Sequence, residues 1–152
     1  MAKSKLTLAE FLPYQLSITS NAVSDLIARA YRGKSALKIP EWRLMAVLGE
    51  VASATQRELV VATAMDKVTV NRASKALEER ELIGRAPNMA DGRSHHLALT
   101  TTGRELYDQI VPMALSIEAQ LATVLGSGET KALEAMLAKL RCASSGIVKT
   151  VR

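Results

Sequence analysis

Residues 55–80, TQRELVVATAMDKVTVNRASKALEER, contain the pattern of two helices joined by a three-residue turn. Thr55 and Glu58 have the spacing of a capping box, in which each side chain satisfies a backbone N–H that the helix leaves open. The short helix they begin sets Leu59, Val60 and Ala62 on its inner face. Thr63, Ala64 and Met65 make the turn. Asp66 then has the position and chemistry of an N-cap for a longer helix reaching Arg80. Val70, Ala73 and Leu77 recur along it at three- and four-residue steps, so they share one buried stripe. Two helices across so short a turn form a helix-turn-helix.

The flanking segments extend this pattern. Leu82-Ile83-Gly84-Arg85 is short and apolar, Pro87 to Arg93 is a polar loop holding Asp91-Gly92, and His95 to Leu99 partly alternates. That predicts a β-hairpin directly after the second helix. Upstream, Thr7 and Glu10 suggest a capped helix start, with Pro13 keeping its first turn irregular or displacing it. Phe11, Leu16, Val23, Leu26, Ile27 and Ala30 continue at helical spacing to Gly33. Pro40 suits the first position of a further helix carrying Trp42, Leu44, Met45, Val47 and Leu48. Downstream of Thr100 a long helix carries Leu106, Ile110, Met113, Ile117, Leu121 and Val124, a stripe too long for so small a head to cover. Pro112 is expected to kink it and Gly126-Ser127-Gly128 to break it. A last helix places Leu133, Met136, Leu137 and Leu140 on one face.

Composition narrows the function. The net charge of +5 favours an anionic partner, and the excess lies before residue 105. Aromatic residues are only 3%, too few for the stacking platforms of a single-strand nucleic-acid binder. One cysteine, Cys142, excludes an internal disulfide and suits a reducing cytoplasm. The N-terminal MAKSKLTLAEF lacks an apolar signal core, and no apolar run approaches a membrane span, so a soluble cytoplasmic protein is expected. No Gly-rich phosphate loop, H-E-x-x-H or paired cysteine motif is present, so enzyme and cofactor are not expected.

Residues 91–103, from Asp91-Gly92-Arg93 through Leu97-Ala98-Leu99-Thr100 to Gly103, read D-x-R-x-x-x-L-x-L-T-x-x-G. This resembles the wing signature of the MarR (multiple antibiotic resistance regulator) family. Glu58-Leu59, Thr69 to Arg72 and Leu77 to Arg80 stand where that family's helix-turn-helix places them, and the likeness extends over nearly the whole chain. It implies a mainly α fold with a small β-wing. A winged helix-turn-helix head at 37–100 would lie between dimerisation helices at 1–36 and 101–152. It also implies a homodimer on a pseudo-palindromic duplex, acting as a repressor relieved by a small effector. The sequence departs from the family at four places. Glu81 stands where a Gly usually follows the recognition helix, Ala64 replaces a turn Gly, Ile39 replaces a capping Thr or Ser, and Ser94-His95-His96 is less basic than the usual wing strand.

On that fold the helix from Asp66 would enter the major groove with Lys67, Val68, Thr69, Asn71, Arg72 and Lys75 outward. Arg72 suits guanine, Asn71 adenine, and Thr69 or Val68 a thymine methyl, while Lys67 and Lys75 suit phosphate. Glu78, Glu79 and Glu81 crowd the far end, which should point away from DNA. Arg93 at the wing tip suits a narrow minor groove, Arg85 a phosphate, and Asp91 is implied by the resemblance to shape the wing and hold Arg93. Tyr14, Tyr31 and Trp42 are candidates for an aromatic effector site, against the plainer reading that they pack the core. Adjacent His95 and His96 point to opposite strand faces and so make a poor metal site. The rival to a DNA-binding regulator is a winged-helix module that binds protein and no DNA.

Overall fold

The computed structural model describes residues 5–87, 89, 90 and 92–147. In order it comprises a 3₁₀ turn at Leu8–Glu10, helices α1 (Leu12–Tyr31) and α2 (Ile39–Glu50), strand β1 (Ala54–Thr55), helices α3 (Gln56–Thr63) and α4 (Lys67–Glu79), strands β2 (Ile83–Pro87) and β3 (His95–Leu99), and helix α5 (Thr101–Ile147). The fold is mainly α with a small antiparallel sheet. The chain divides into two compact units, residues 1–113 and 114–152.

In the first unit, the helices close over one aliphatic core. Leu44, Met45 and Leu48 from α2, Leu59 from α3, Val70 and Leu77 from α4, Leu97 from β3 and Ile110 from α5 are all buried. The stripe expected on α4 is buried as read. Ser74 joins it without an orphaned hydroxyl, because its Oγ donates to the Val70 carbonyl one turn back at 2.8 Å. Ala62 differs from expectation and is exposed. α3 has only eight residues and a single fully buried position, Leu59.

Thr7 does not begin the first helix. Its side chain makes no cap bond, and α1 starts at Leu12 with Pro13 in its first turn. Proline fits there, where its missing N–H has no helical acceptor to lose. α2 starts at Ile39, with the Glu41 carboxylate accepting the Lys38 N–H at 3.0 Å, so acceptor chemistry comes from inside the helix in place of a capping hydroxyl.

The sheet order is β1-β3-β2. Ile83 pairs with Leu99 and Arg85 with Leu97, while β1 adds Ala54 opposite Leu97 and Thr55 opposite His96. The hairpin matches the sequence reading. β1 was not anticipated, since two residues carry no periodicity.

Two devices fasten the hairpin to the helices. α4 ends in a Schellman motif: the Leu82 N–H donates to the Leu77 carbonyl, the Glu81 N–H donates to that of Glu78, and Glu81 is left-handed at φ 56°. Thr100 then bridges to α5. Its hydroxyl donates to the Glu81 carbonyl at 2.6 Å and accepts the Gly103 N–H at 3.0 Å. A Cβ on Gly103 would lie 1.9 Å from the Leu82 carbonyl oxygen, so this close approach requires glycine.

The second unit consists of the remainder of α5. Pro112 sits within the helix, whose non-helical residue is Gly126 at φ 73°, ψ 161°. The break therefore falls at the expected glycine and not at the proline. Leu115, Val124, Leu133, Met136, Leu140 and Ile147 are exposed, as is Cys142. α5 also contains an 18-residue window of mean hydropathy 1.4, long and apolar enough by length and composition to cross a membrane. This corrects the expectation that no apolar run approaches that length.

Candidate nucleic-acid interface

The start of α4 is fixed by its cap. One Asp66 carboxylate oxygen accepts the Thr69 N–H and the other the Thr69 hydroxyl, both at 2.8 Å. These two bonds, the backbone one first, hold the Asp66 carboxyl below its usual range. α3 begins with the full capping box read in the sequence: the Glu58 carboxylate accepts the Thr55 N–H at 2.7 Å, and the Thr55 hydroxyl accepts the Glu58 N–H at 3.3 Å. The Thr55 backbone N–H, then its hydroxyl, lowers the Glu58 carboxyl as well.

With Val70, Ala73 and Leu77 inward, α4 exposes Lys67, Val68, Arg72 and Lys75, as expected. Thr69 and Asn71 are half-buried and engaged. The Thr69 hydroxyl serves the cap, and Asn71 Oδ1 accepts a hydrogen bond from Gln56 Nε2 at 3.1 Å. The turn between α3 and α4 places Ala64 left-handed at φ 53°, the conformation its glycine-like position demands.

Between the starts of α3 and α4 and the hairpin lies a cleft of about 580 Å³. Arg57, Lys67, Arg85 and Arg93 line it together with His95, and no described lining residue is a carboxylate. The structure brings Lys67, Arg85 and Arg93, three of the candidate residues, together around this cleft, and adds Arg57 and Gln56. The side chains of those two are not among the sequence candidates, because the capping box at residues 55–58 accounts for the segment's local pattern without them. Their place in the first turn of the leading helix, facing the start of the second, was the available signal. Arg85 is not oriented toward the cleft alone, since its Nε also contacts Glu78 Oε1 at 2.6 Å. Asp91 lies outside the described residues.

The two histidines diverge as their strand positions require. His96 Nδ1 lies 3.3 Å from Ser53 Oγ, and His95 lines the cleft. Of the three aromatic candidates, Tyr31 and Trp42 pack together and Tyr14 stands apart. Tyr31 is buried, 5.9 Å between ring centroids from Trp42, and Trp42 stacks on Tyr107 at 6.0 Å. Arg104 lies over the Tyr107 ring at 5.2 Å. Burial, then the nearby Glu41 carboxylate, raises the Tyr31 hydroxyl above its ordinary range. Tyr14 is exposed on α1 and belongs to neither ring pair.

A capped two-helix unit with an antiparallel hairpin beside its second helix defines a winged helix-turn-helix protein. The comparisons narrow the class. A MarR family model matches residues 37–94, which span α2 through the hairpin loop. The transcriptional repressor NicR of Pseudomonas putida is 28% identical over 138 residues, covering 84% of this chain and 85% of its own. A MarR/EmrR family regulator from Acinetobacter sp. ADP1 superposes with a TM-score of 0.83 at 26% identity, covering 93% of this chain and 99% of its own. The repressor CouR, in a structure bound to a 23-mer DNA duplex, gives 0.78 at 25% identity, covering 91% and 99%. The chain is thus similar to the MarR family over residues 37–94, and to proteins described as transcriptional regulators over most of its length.

Proposed function

We propose that the protein is a homodimeric, sequence-specific DNA-binding repressor released by a small aromatic ligand. The observation that carries this reading is the cation-lined cleft between α4 and the hairpin, with Lys67, Arg72 and Lys75 exposed along the adjoining helix. Duplex DNA carries closely spaced phosphates, and such a surface neutralises them while the first turns of a helix reach base edges. On this reading residues 37–100 form the reading head, and residues 1–36 and 101–152 assemble the dimer.

Within the head, Arg72 reads guanine, Val68 and Thr69 offer apolar contact to a thymine methyl, and Asn71 contacts a base edge. Lys67, Lys75 and Arg85 position phosphates. Arg93 enters the minor groove. CouR, whose structure is bound to a 23-mer DNA duplex, supports the DNA contact, and the name of NicR supports repression. For the effector, Tyr14, Tyr31 and Trp42 remain the proposed aromatic contacts, with Tyr31 and Trp42 already packed on each other.

A mobility-shift titration on the DNA upstream of the protein's own gene tests the reading. Specific retention of that duplex, reversed by a phenolic acid that also perturbs the fluorescence of Trp42, is the expected result. Equal, weak retention of every duplex would reject it.

A further inference from the structure

We infer that Gln56, in the first turn of α3, determines which bases Asn71 reads; this rests on the DNA-binding reading above. Gln56 Nε2 donates to Asn71 Oδ1 at 3.1 Å, across fifteen residues of sequence, and both side chains are half-buried. Gln56 also lines the basic cleft. The pair therefore lies at the surface that would face DNA, on two different helices.

An unrestrained asparagine recognises adenine with both arms of its amide, Oδ1 accepting from N6–H and Nδ2 donating to N7. Gln56 alters that geometry. Its donor occupies one lone-pair direction of Oδ1 and ties the plane of the amide to α3. The arm turned away from Gln56 is Nδ2, which only donates. Asn71 so held suits acceptor edges, guanine N7 and O6 or thymine O4, and forfeits the N6 arm of adenine. Cytosine, which offers the N4 donor, is disfavoured. Gln56 acts through Asn71 and is a specificity-positioning residue, whereas Arg57 and Lys67 beside it supply charge without discrimination.

Selection from a randomised duplex library at fixed salt tests this on the full-length protein. The proteins compared are wild type, Gln56→Ala, Gln56→Glu, Asn71→Ala and the double variant Gln56→Ala/Asn71→Ala, each first checked by thermal melting. The base pair whose preference disappears in Asn71→Ala identifies the Asn71 position. Wild type is expected to select guanine or thymine there. Gln56→Ala is expected to shift that position toward adenine by about tenfold or more. Gln56→Glu offers an acceptor, draws Nδ2 inward and turns Oδ1 out, so it should favour adenine and cytosine even though its charge lowers all affinities. In the Asn71→Ala background, Gln56→Ala should leave every preference unchanged.

If both Gln56 variants weaken all sequences alike and keep the wild-type preference, the inference fails and the DNA-binding reading stands. It also fails if Asn71→Ala erases no positional preference. A wild-type protein that enriches no sequence overturns the DNA-binding reading itself, and this inference with it.

Discussion

Arg72 and Arg93 carry the same charge but have different expected roles, and the difference is measurable. Arg72 is exposed on α4 two residues past the buried Val70, where a guanidinium fork can meet a guanine edge. Arg72→Ala is expected to cost about 1–3 kcal/mol on the specific duplex and far less on a random one, read by competition binding. Arg93 lines the cleft from the hairpin loop. Arg93→Ala should weaken binding and reduce the slope of log K against log salt by about one. Asp66 bears on stability and not on recognition. Its folded carboxyl is lowered by the Thr69 bonds, so its contribution is complete above the unfolded value near 3.8 and is lost as pH falls through the folded one. Asp66→Asn should therefore flatten the loss of stability below about pH 4, where the wild-type cap becomes protonated. Denaturant melts across that range check it, and an unchanged acid limb would show that the cap adds no pH dependence.

At the scale of elements, the joint between α4, the hairpin and α5 is the most constrained feature. Glu81 holds a left-handed conformation that a side chain disfavours by roughly 1 kcal/mol. Glu81→Gly is expected to raise stability by about 0.5–1 kcal/mol, a few degrees in Tm. Gly103→Ala should do the reverse, by about 1–3 kcal/mol or more, because the obstacle at 1.9 Å is the Leu82 carbonyl and backbone yields poorly. Thermal melts of the two variants should move in opposite directions. The sequence reading found this joint only in outline. The cap residues Thr55 and Asp66, the stripe Val70-Ala73-Leu77 and the hairpin were legible because local hydrogen-bond chemistry and short periodicities specify them. β1, the burial of Ser74 and the exposure of Ala62 were not, because tertiary neighbours decide them. The same holds for the interface. The cations of α4 could be read from helical spacing, but the contact of Gln56 with Asn71 and the entry of Arg57 into the cleft depend on how α3 crosses α4.

For the whole molecule, the question is how a small basic head obtains specific affinity. Non-specific binding by one such surface is weak at physiological salt, since it rests on a few phosphate contacts. A proposed second copy would double the phosphates neutralised and present two α4 helices to successive major grooves, where spacing itself adds discrimination. The last part of α5 exposes Leu133, Met136 and Leu140 at helical spacing, an apolar face of the kind that pairs with another helix. Leu133→Glu/Leu140→Glu places two carboxylates on that face without touching the cleft. Light scattering is expected to show wild type at twice the chain mass and the variant at the chain mass or in concentration-dependent exchange. On the specific duplex the variant should lose at least tenfold in affinity, and its salt slope should fall toward half, because each head neutralises the same number of phosphates. A variant that stays monomeric yet keeps the full slope would mean that one head makes all the phosphate contacts, and the twofold assembly would have no part in recognition.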